Sequence, residues 1–256
     1  MKQDEAIRQV GLAVKGDPAV RAVFLKGAHA RGEQDAYSDV DLYCLVHSEG
    51  LTDFLARRIS HMESYKPLIL WSEANFVGPQ IVGVFEDGLH FDLYTVTEES
   101  LKQTEQILVL YDPEGYLANY KAAESFPMSD AEITRILSGF TFSLLEFETA
   151  YLRGDLLWAH RLGSHLAADL MAVLRHVVDP STAQLGIKRL HHKLSPQQLD
   201  ELTGALNGLG PDALPSGVKK LVDLAAALIA DLTERLSENW NQRFFDFMVK
   251  RIYALS

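Results

Sequence analysis

Ser38-Asp39-Val40-Asp41-Leu42 opens a run of apolar residues, Val40 to Val46, that reads as a β-strand, and it sets two carboxylates two residues apart. Side chains alternate along a strand, so Asp39 and Asp41 project to one face while Val40, Leu42 and Cys44 project into a core. Like charges held this close repel, and a bridging divalent cation removes the repulsion. Mg²⁺ suits hard oxygen ligands of this kind. A third carboxylate follows the same logic in Leu89-His90-Phe91-Asp92-Leu93-Tyr94, where Asp92 alternates with Phe91 and Leu93. If that segment lies beside the Asp39/Asp41 strand, three carboxylates converge. Asp39, Asp41 and Asp92 together can hold two Mg²⁺ ions, one to activate an attacking oxygen and one to neutralise a triphosphate and its leaving pyrophosphate. The chemistry expected of such a set is phosphoryl transfer.

Upstream, Gly27-Ala28-His29-Ala30-Arg31-Gly32 falls between a strand and a short helical stretch, so its backbone N–H groups can face an anion without side-chain obstruction. Arg31 either meets a phosphate oxygen or pins the loop. Ser38 either touches a nucleotide or caps the turn into the strand. The segment lacks the Gly-Lys-Ser/Thr ending of a P-loop, which disfavours a Walker-type ATPase.

These residues need elements to position them. In the first half of the chain, short β-rich runs alternate with helical segments. Residues 3 to 15 carry Ile7, Val10 and Val14 at helical spacing, and Asp17-Pro18 interrupts them before a strand-like run from Val20 to Lys26. A helix is expected from Thr52 to Tyr65. The runs Gln80 to Phe85 and Leu89 to Val96, joined by Glu86-Asp87-Gly88, form a hairpin, so the sheet is mixed. From about Ser129 the pattern turns to long helices: Ala131 to Leu152, Leu156 to Val178, Pro196 to Leu206, Val218 to Ser237, and an aromatic-rich Trp240 to Tyr253. The expected class is α+β, with domains over 1–120 and 121–256 and a linker between 112 and 130.

Composition narrows the partners. With 47% hydrophobic residues in 256, the chain can bury one large or two modest cores. A formal net charge of −11 argues against a nucleic-acid partner, and it requires metal ions to offset repulsion if a nucleotide binds. The single cysteine, Cys44, excludes an internal disulfide and favours a reducing compartment. The N-terminus does not read as a signal peptide, and no apolar run approaches membrane-spanning length. A cytoplasmic protein without membrane contact is expected.

The order of a hydrophobic residue, Gly27, a small residue, Ala30-Arg31-Gly32 and then Ser38-Asp39-Val40-Asp41-Leu42 resembles the nucleotidyltransferase superfamily of the polymerase β type fold, which includes the antibiotic adenylyltransferases. The His90-Phe91-Asp92 hairpin, the Tyr111-Asp112-Pro113-Glu114-Gly115-Tyr116 segment and the helical second half look like the lincosamide nucleotidyltransferases. The resemblance implies a nucleotidyltransferase domain followed by a helical bundle that binds the acceptor and forms a homodimer. It implies that Gly27 and Ala28 contact the triphosphate of ATP or another nucleoside triphosphate. Asp39 and Asp41 then bind Mg²⁺, and Asp92 serves as a further metal ligand or as general base. The implied reaction is transfer of a nucleoside monophosphate to a hydroxyl of an antibiotic-like small molecule. Ala28 departs from the family, which usually has Ser there. The alternatives are an aminoglycoside acceptor, and a weakly active or antitoxin-like homologue in which Arg153 and His160 form a ribonuclease-type pair.

In the helical half, Arg161, His165 and Asp169 share a polar stripe, and Lys188 to Lys193 is the densest basic spot. Trp158, Trp240, Phe244 and Phe245 read as core or dimer contacts. Glu146 and Glu148 are candidates for an acidic acceptor lining.

Overall fold

The computed structural model describes residues 1–75, 78–122 and 127–256, which divide into two compact units, Met1–Glu124 and Ser125–Ser256. The class is α+β, with a mixed sheet in the first unit and helices in the second. Residues 123–126 of the expected linker lie outside the described residues.

In the first unit, β1 (Val20–Leu25), β2 (Val40–Val46), β3 (Leu68–Asn75), β4 (Pro79–Phe85), β5 (His90–Val96) and β6 (Leu108–Tyr111) form a sheet of order β3-β4-β5-β2-β1-β6. Its helices are α1 (Lys2–Lys15), α2 (Gly27–Arg31) and α3 (Leu51–Met62). β2 and β5 pair in parallel, and every other neighbouring pair is antiparallel. The β4–β5 turn closes as its residue types require. Gly88 N–H donates to Phe85 O at 2.8 Å, and Asp87 accepts from Leu89 N–H at 3.1 Å and from the Tyr65 hydroxyl at 2.7 Å.

The two sheet faces differ. One packs Val40, Leu42, Cys44, Phe91 and Leu93 against Ala6, Val10 and Val14 of α1 and Phe54 and Met62 of α3. Each large aliphatic or aromatic side chain buried there contributes about 1.5–3 kcal/mol. Cys44 is part of this core, and burial pushes its thiol pKa up. The other face carries a smaller aromatic layer, in which Phe24, Tyr43 and Tyr94 stack across three strands with centroids 5.2 and 4.2 Å apart. Beyond Tyr43 and Tyr94 along β2 and β5, the same face turns acidic.

Two strands are additions to the sequence reading. β3 is an edge strand exposed along most of its length, including Ile69, Leu70 and Trp71, and β6 is the opposite edge. The first predicted strand ends at Leu25 rather than Lys26, although Lys26 N–H still donates to Asp41 O at 3.1 Å. The predicted 52–65 helix spans Leu51–Met62.

The second unit packs α4 (Asp130–Leu152), α5 (Leu156–Val178), α6 (Pro196–Asn207), α7 (Ser216–Asp231) and α8 (Gln242–Tyr253) around one core. Ser129 starts α4 through a capping box: Ser129 Oγ accepts from Glu132 N–H at 3.2 Å, and Glu132 Oε2 accepts from Ser129 N–H at 2.8 Å. Asp155 caps α5 by accepting from Trp158 N–H at 3.2 Å. The helix expected to reach Ser237 stops at Asp231, and the last helix starts at Gln242 rather than Trp240, where Asn241 caps Phe244 N–H at 3.0 Å. Phe245 is core, with Trp240 and Phe244 packed against it, but Trp158 is not, being 52% exposed in the first turn of α5. Among the described residues, no helix is long and apolar enough to cross a membrane.

Candidate active site

Asp41 and Asp92 are register partners across the parallel β2–β5 pair, so they share the face opposite the helix-covered core. Asp39 stands two residues before Asp41 on the approach to β2, and His90 stands two residues before Asp92 on β5. His90 joins the set: its Nε2 lies 3.0 Å from Asp92 Oδ1, and its Nδ1 lies 3.8 Å from Asp39 Oδ2. The structure thus brings together all three predicted carboxylates, with an imidazole between two of them.

Burial, reinforced by the charges of Asp39, Asp92 and Glu105, pushes the Asp41 pKa up to about 6. Burial also raises that of Asp92, against the opposing effect of His90. Such a set suits a hard divalent cation. Its donors are carboxylate oxygens, and the charges of Asp39 and Asp92 disfavour ionisation of Asp41 until positive charge is supplied. Among the described residues, however, no three His, Cys, Asp or Glu side chains already converge on a metal-sized position. Asp39 and Asp41 are the residues that would hold Mg²⁺, with Asp92 beside them as a further ligand or as a base.

The stretch from Gly27, expected as a loop, is itself the short helix α2. Gly27 adopts φ of +62°, which favours glycine, and a Cβ there would meet Asp41 Oδ2 and push that carboxylate aside. The backbone turn and the carboxylate are therefore packed directly together. Ala28 lies half-buried in α2, and its carbonyl accepts from Glu33 N–H at 2.9 Å. Arg31 Nε donates to Glu33 Oε2 at 2.9 Å, and its Nη1 lies 3.8 Å from Glu105 Oε2. Ser38 Oγ accepts from Asp35 N–H at 2.9 Å and donates to Asp35 Oδ1 at 3.1 Å, which ties the turn into β2. Gln3 of α1, 1% exposed, staples the same turn by donating to the carbonyls of Ala36 at 3.1 Å and Ser38 at 3.0 Å.

A polar cleft of about 300 Å³ opens beside Asp39 and His90, lined also by Lys2, Tyr37, Ser38 and Leu89, with Tyr37 97% exposed on its rim. A larger cavity of about 530 Å³ lies in the second unit against α6 and α7, lined by Asp200, Glu201, Lys220 and Asp223. None of the predicted site residues lines the larger one.

The helical-unit candidates disperse. His165 pairs with Asp169 at 3.6 Å. Arg153 and His160 are separated by the α4–α5 turn, and His160 Nδ1 is hydrogen-bonded to Leu209 O at 2.8 Å. The 188–193 cluster is exposed apart from Leu190. Glu146 is exposed, whereas Glu148 is buried and bound to Arg251, so the two do not form one acidic lining.

Sequence reading passed over three residues at the site. His90 was readable, because its two-residue offset from Asp92 fixes it on the same face. Lys26 shares the parity of Phe24 and could have been placed by it. Glu105 sits on an irregular connection where no periodicity points to it.

No protein-family model matches the sequence, and no curated protein matches it. Among solved structures, the chain is similar to an aminoglycoside 6-adenyltransferase from Bacillus subtilis, at 14% identity over 98% of this chain and 99% of that one, with a TM-score of 0.45.

Proposed function

We propose that this chain is a Mg²⁺-dependent nucleotidyltransferase that moves AMP from ATP to a hydroxyl of a small molecule, a lincosamide-type antibiotic or similar compound. The observation that carries this reading is the Asp41–Asp92 register with Asp39 beside it, packed against the Gly27 turn. Bound Mg²⁺ would supply positive charge to the triphosphate and to the departing pyrophosphate. The chain's own groups do the rest. The backbone from Gly27 and Ala28 lies beside the carboxylates, where it can orient phosphate oxygens, and Arg31 adds a cation. Asp92 accepts the proton of the acceptor hydroxyl as its oxygen attacks the α-phosphorus in line and the bond to pyrophosphate breaks; burial raises its affinity for that proton, and His90 holds one of its oxygens. The partners are the nucleotide and the acceptor, with no nucleic acid or membrane, in a cytoplasmic homodimer.

An aminoglycoside is the second reading for the acceptor. Three carboxylates against one lysine along the α6–α7 cavity favour a polycation.

The test is pyrophosphate release from ATP, GTP, CTP and UTP with Mg²⁺, against lincosamide and aminoglycoside panels, run beside Asp41→Asn. Acceptor-dependent release that the substitution abolishes is the expected result. No release with any pair, while nucleotide still binds, would turn the reading towards an inactive nucleotide-binding homologue.

A further inference from the structure

Lys26 has no part in the transfer as described above, yet it is 2% exposed and lies beside the site. Burying an ammonium is costly unless it is well paired. Among the described residues, its one hydrogen bond runs to Lys102 O at 3.3 Å, and its Nζ rests 4.9 Å from the centroid of the Tyr43 ring. The carboxylate that reaches it is Glu105, with Oε1 at 4.0 Å. The other oxygen of the same carboxylate stands 3.8 Å from Arg31 Nη1. Glu105 thus bridges two cations that flank Gly27, at distances too long for a hydrogen bond to either.

This is an unfavourable place for an acidic side chain. The Asp41 carboxylate lies against Gly27, with Asp39 beside it, so Glu105 adds a further negative charge to an already acidic site. What the position offers a carboxylate is a Lys–Arg pair, the same pair of charges that recognises phosphate oxygens. We infer that Glu105 stands in for a phosphate of the nucleotide in the resting protein, and that a bound triphosphate displaces it and takes over Lys26 and Arg31.

Displacement needs only a side-chain rotation. The Glu105 backbone is tied down, since its carbonyl accepts from the Tyr120 hydroxyl at 2.8 Å, while its side chain is 36% exposed and can turn into water. An anion must satisfy two cations to compete, which favours di- and triphosphates over a monophosphate. The apparent affinity is lowered by the fraction of molecules in which Glu105 holds the pair. When pyrophosphate leaves, Glu105 returns and opposes its rebinding. This inference rests on the nucleotidyl-transfer reading.

The test is isothermal titration with tripolyphosphate and Mg²⁺ on the wild type, Glu105→Gln, Lys26→Met and the double variant. Glu105→Gln is expected to tighten binding roughly tenfold, and most of that gain should vanish in the Lys26→Met background. If Lys26→Met does not fold, Arg31→Gln supplies the same comparison. A gain that is equal in both backgrounds would mean that Glu105 acts by general repulsion and would overturn the displacement. So would an unchanged affinity in Glu105→Gln, while leaving nucleotidyl transfer standing. Failure of both the wild type and Glu105→Gln to bind tripolyphosphate would overturn both readings.

Discussion

Asp41 and Asp92 face one another in register across the parallel β2–β5 pair, and the Asp92 charge makes Asp41 harder to ionise. Burial first, then Asp39, Asp92 and Glu105, lifts Asp41 from an ordinary value of 3.8 to about 6. A carboxyl whose folded pKa lies above its unfolded one favours folding while protonated and loses that contribution as pH rises through the folded value. Asp41→Asn should therefore melt above the wild type at pH 7 in metal-free buffer, by up to roughly 2–3 kcal/mol, with the difference closing by about pH 4. Mg²⁺ should raise the melting temperature of the wild type and not that of the variant. Equal melts at pH 7 would show that the carboxylates are not in conflict.

Gly27→Ala and Gly32→Ala form a matched pair. Both glycines have positive φ, +62° and +69°, so each substitution costs backbone strain of about 1 kcal/mol. Only at Gly27 does the new methyl meet Asp41; around Gly32 the space is open. Gly32→Ala should keep Mg²⁺-dependent thermal stabilisation and Gly27→Ala should lose it. Parallel behaviour of the two would make Gly27 a matter of conformation alone.

Asp17 anchors α3 to the turn before β1. It accepts from Arg57 at 2.7 and 2.9 Å, lies 2.8 Å from His61 Nε2, and accepts from Ala19 N–H at 3.0 Å. The Arg57 guanidinium, foremost, holds its carboxyl well below the usual range. The stability this gives is fully present above the ordinary carboxylate pKa, shrinks as pH falls below it, and is gone only once pH falls through the much lower folded value. Asp17→Asn should cost about 2 kcal/mol at pH 7, a cost that begins to shrink below about pH 4 and is still mostly present at pH 3, read from urea unfolding at both. A loss that does not change with pH would point to packing rather than charge.

Arg251 fastens α8 to α4 by gripping Glu148, which is 4% exposed, through two contacts of 2.7 Å. Removing the arginine strands a buried charge, so Arg251→Met should lower the urea midpoint at pH 7. Adding Glu148→Gln should restore part of that loss, and strictly additive losses in a double-mutant cycle would refute the pairing.

The parts of the fold that the sequence made legible are those with a local apolar pattern. The strands Val40 to Val46 and Leu89 to Val96 were readable as apolar runs, and the two-residue offset alone put Asp39 and Asp41 on a common face, whereas Asp92 joins them only because β5 pairs with β2, which no local pattern fixes. β3 was not legible, because an edge strand exposed on both faces has no reason to alternate. Of the two readings for Trp158, core or dimer contact, the core one fails for a related reason. In the first turn of α5, Ala159 and Leu162 point to the core while Leu157 and Trp158 do not, and aromatic content alone cannot distinguish them. Arg31 and Ser38 were legible as residues with two readings each. The partners the structure gives them, Glu33 and Asp35, lie within three residues of each, too near for spacing to decide.

The parallel β2–β5 pairing has one more consequence. Its two strands belong to different hairpins, so nothing local aligns Asp41 with Asp92. A slip of β5 by a single residue would turn Asp92 inward among Val40, Leu42 and Phe54 and expel Phe91 and Leu93 into water. Such a misassembled sheet would forfeit its core along with its acidic face. Folding therefore proofreads the site: a molecule stable enough to persist is one whose carboxylates are already aligned.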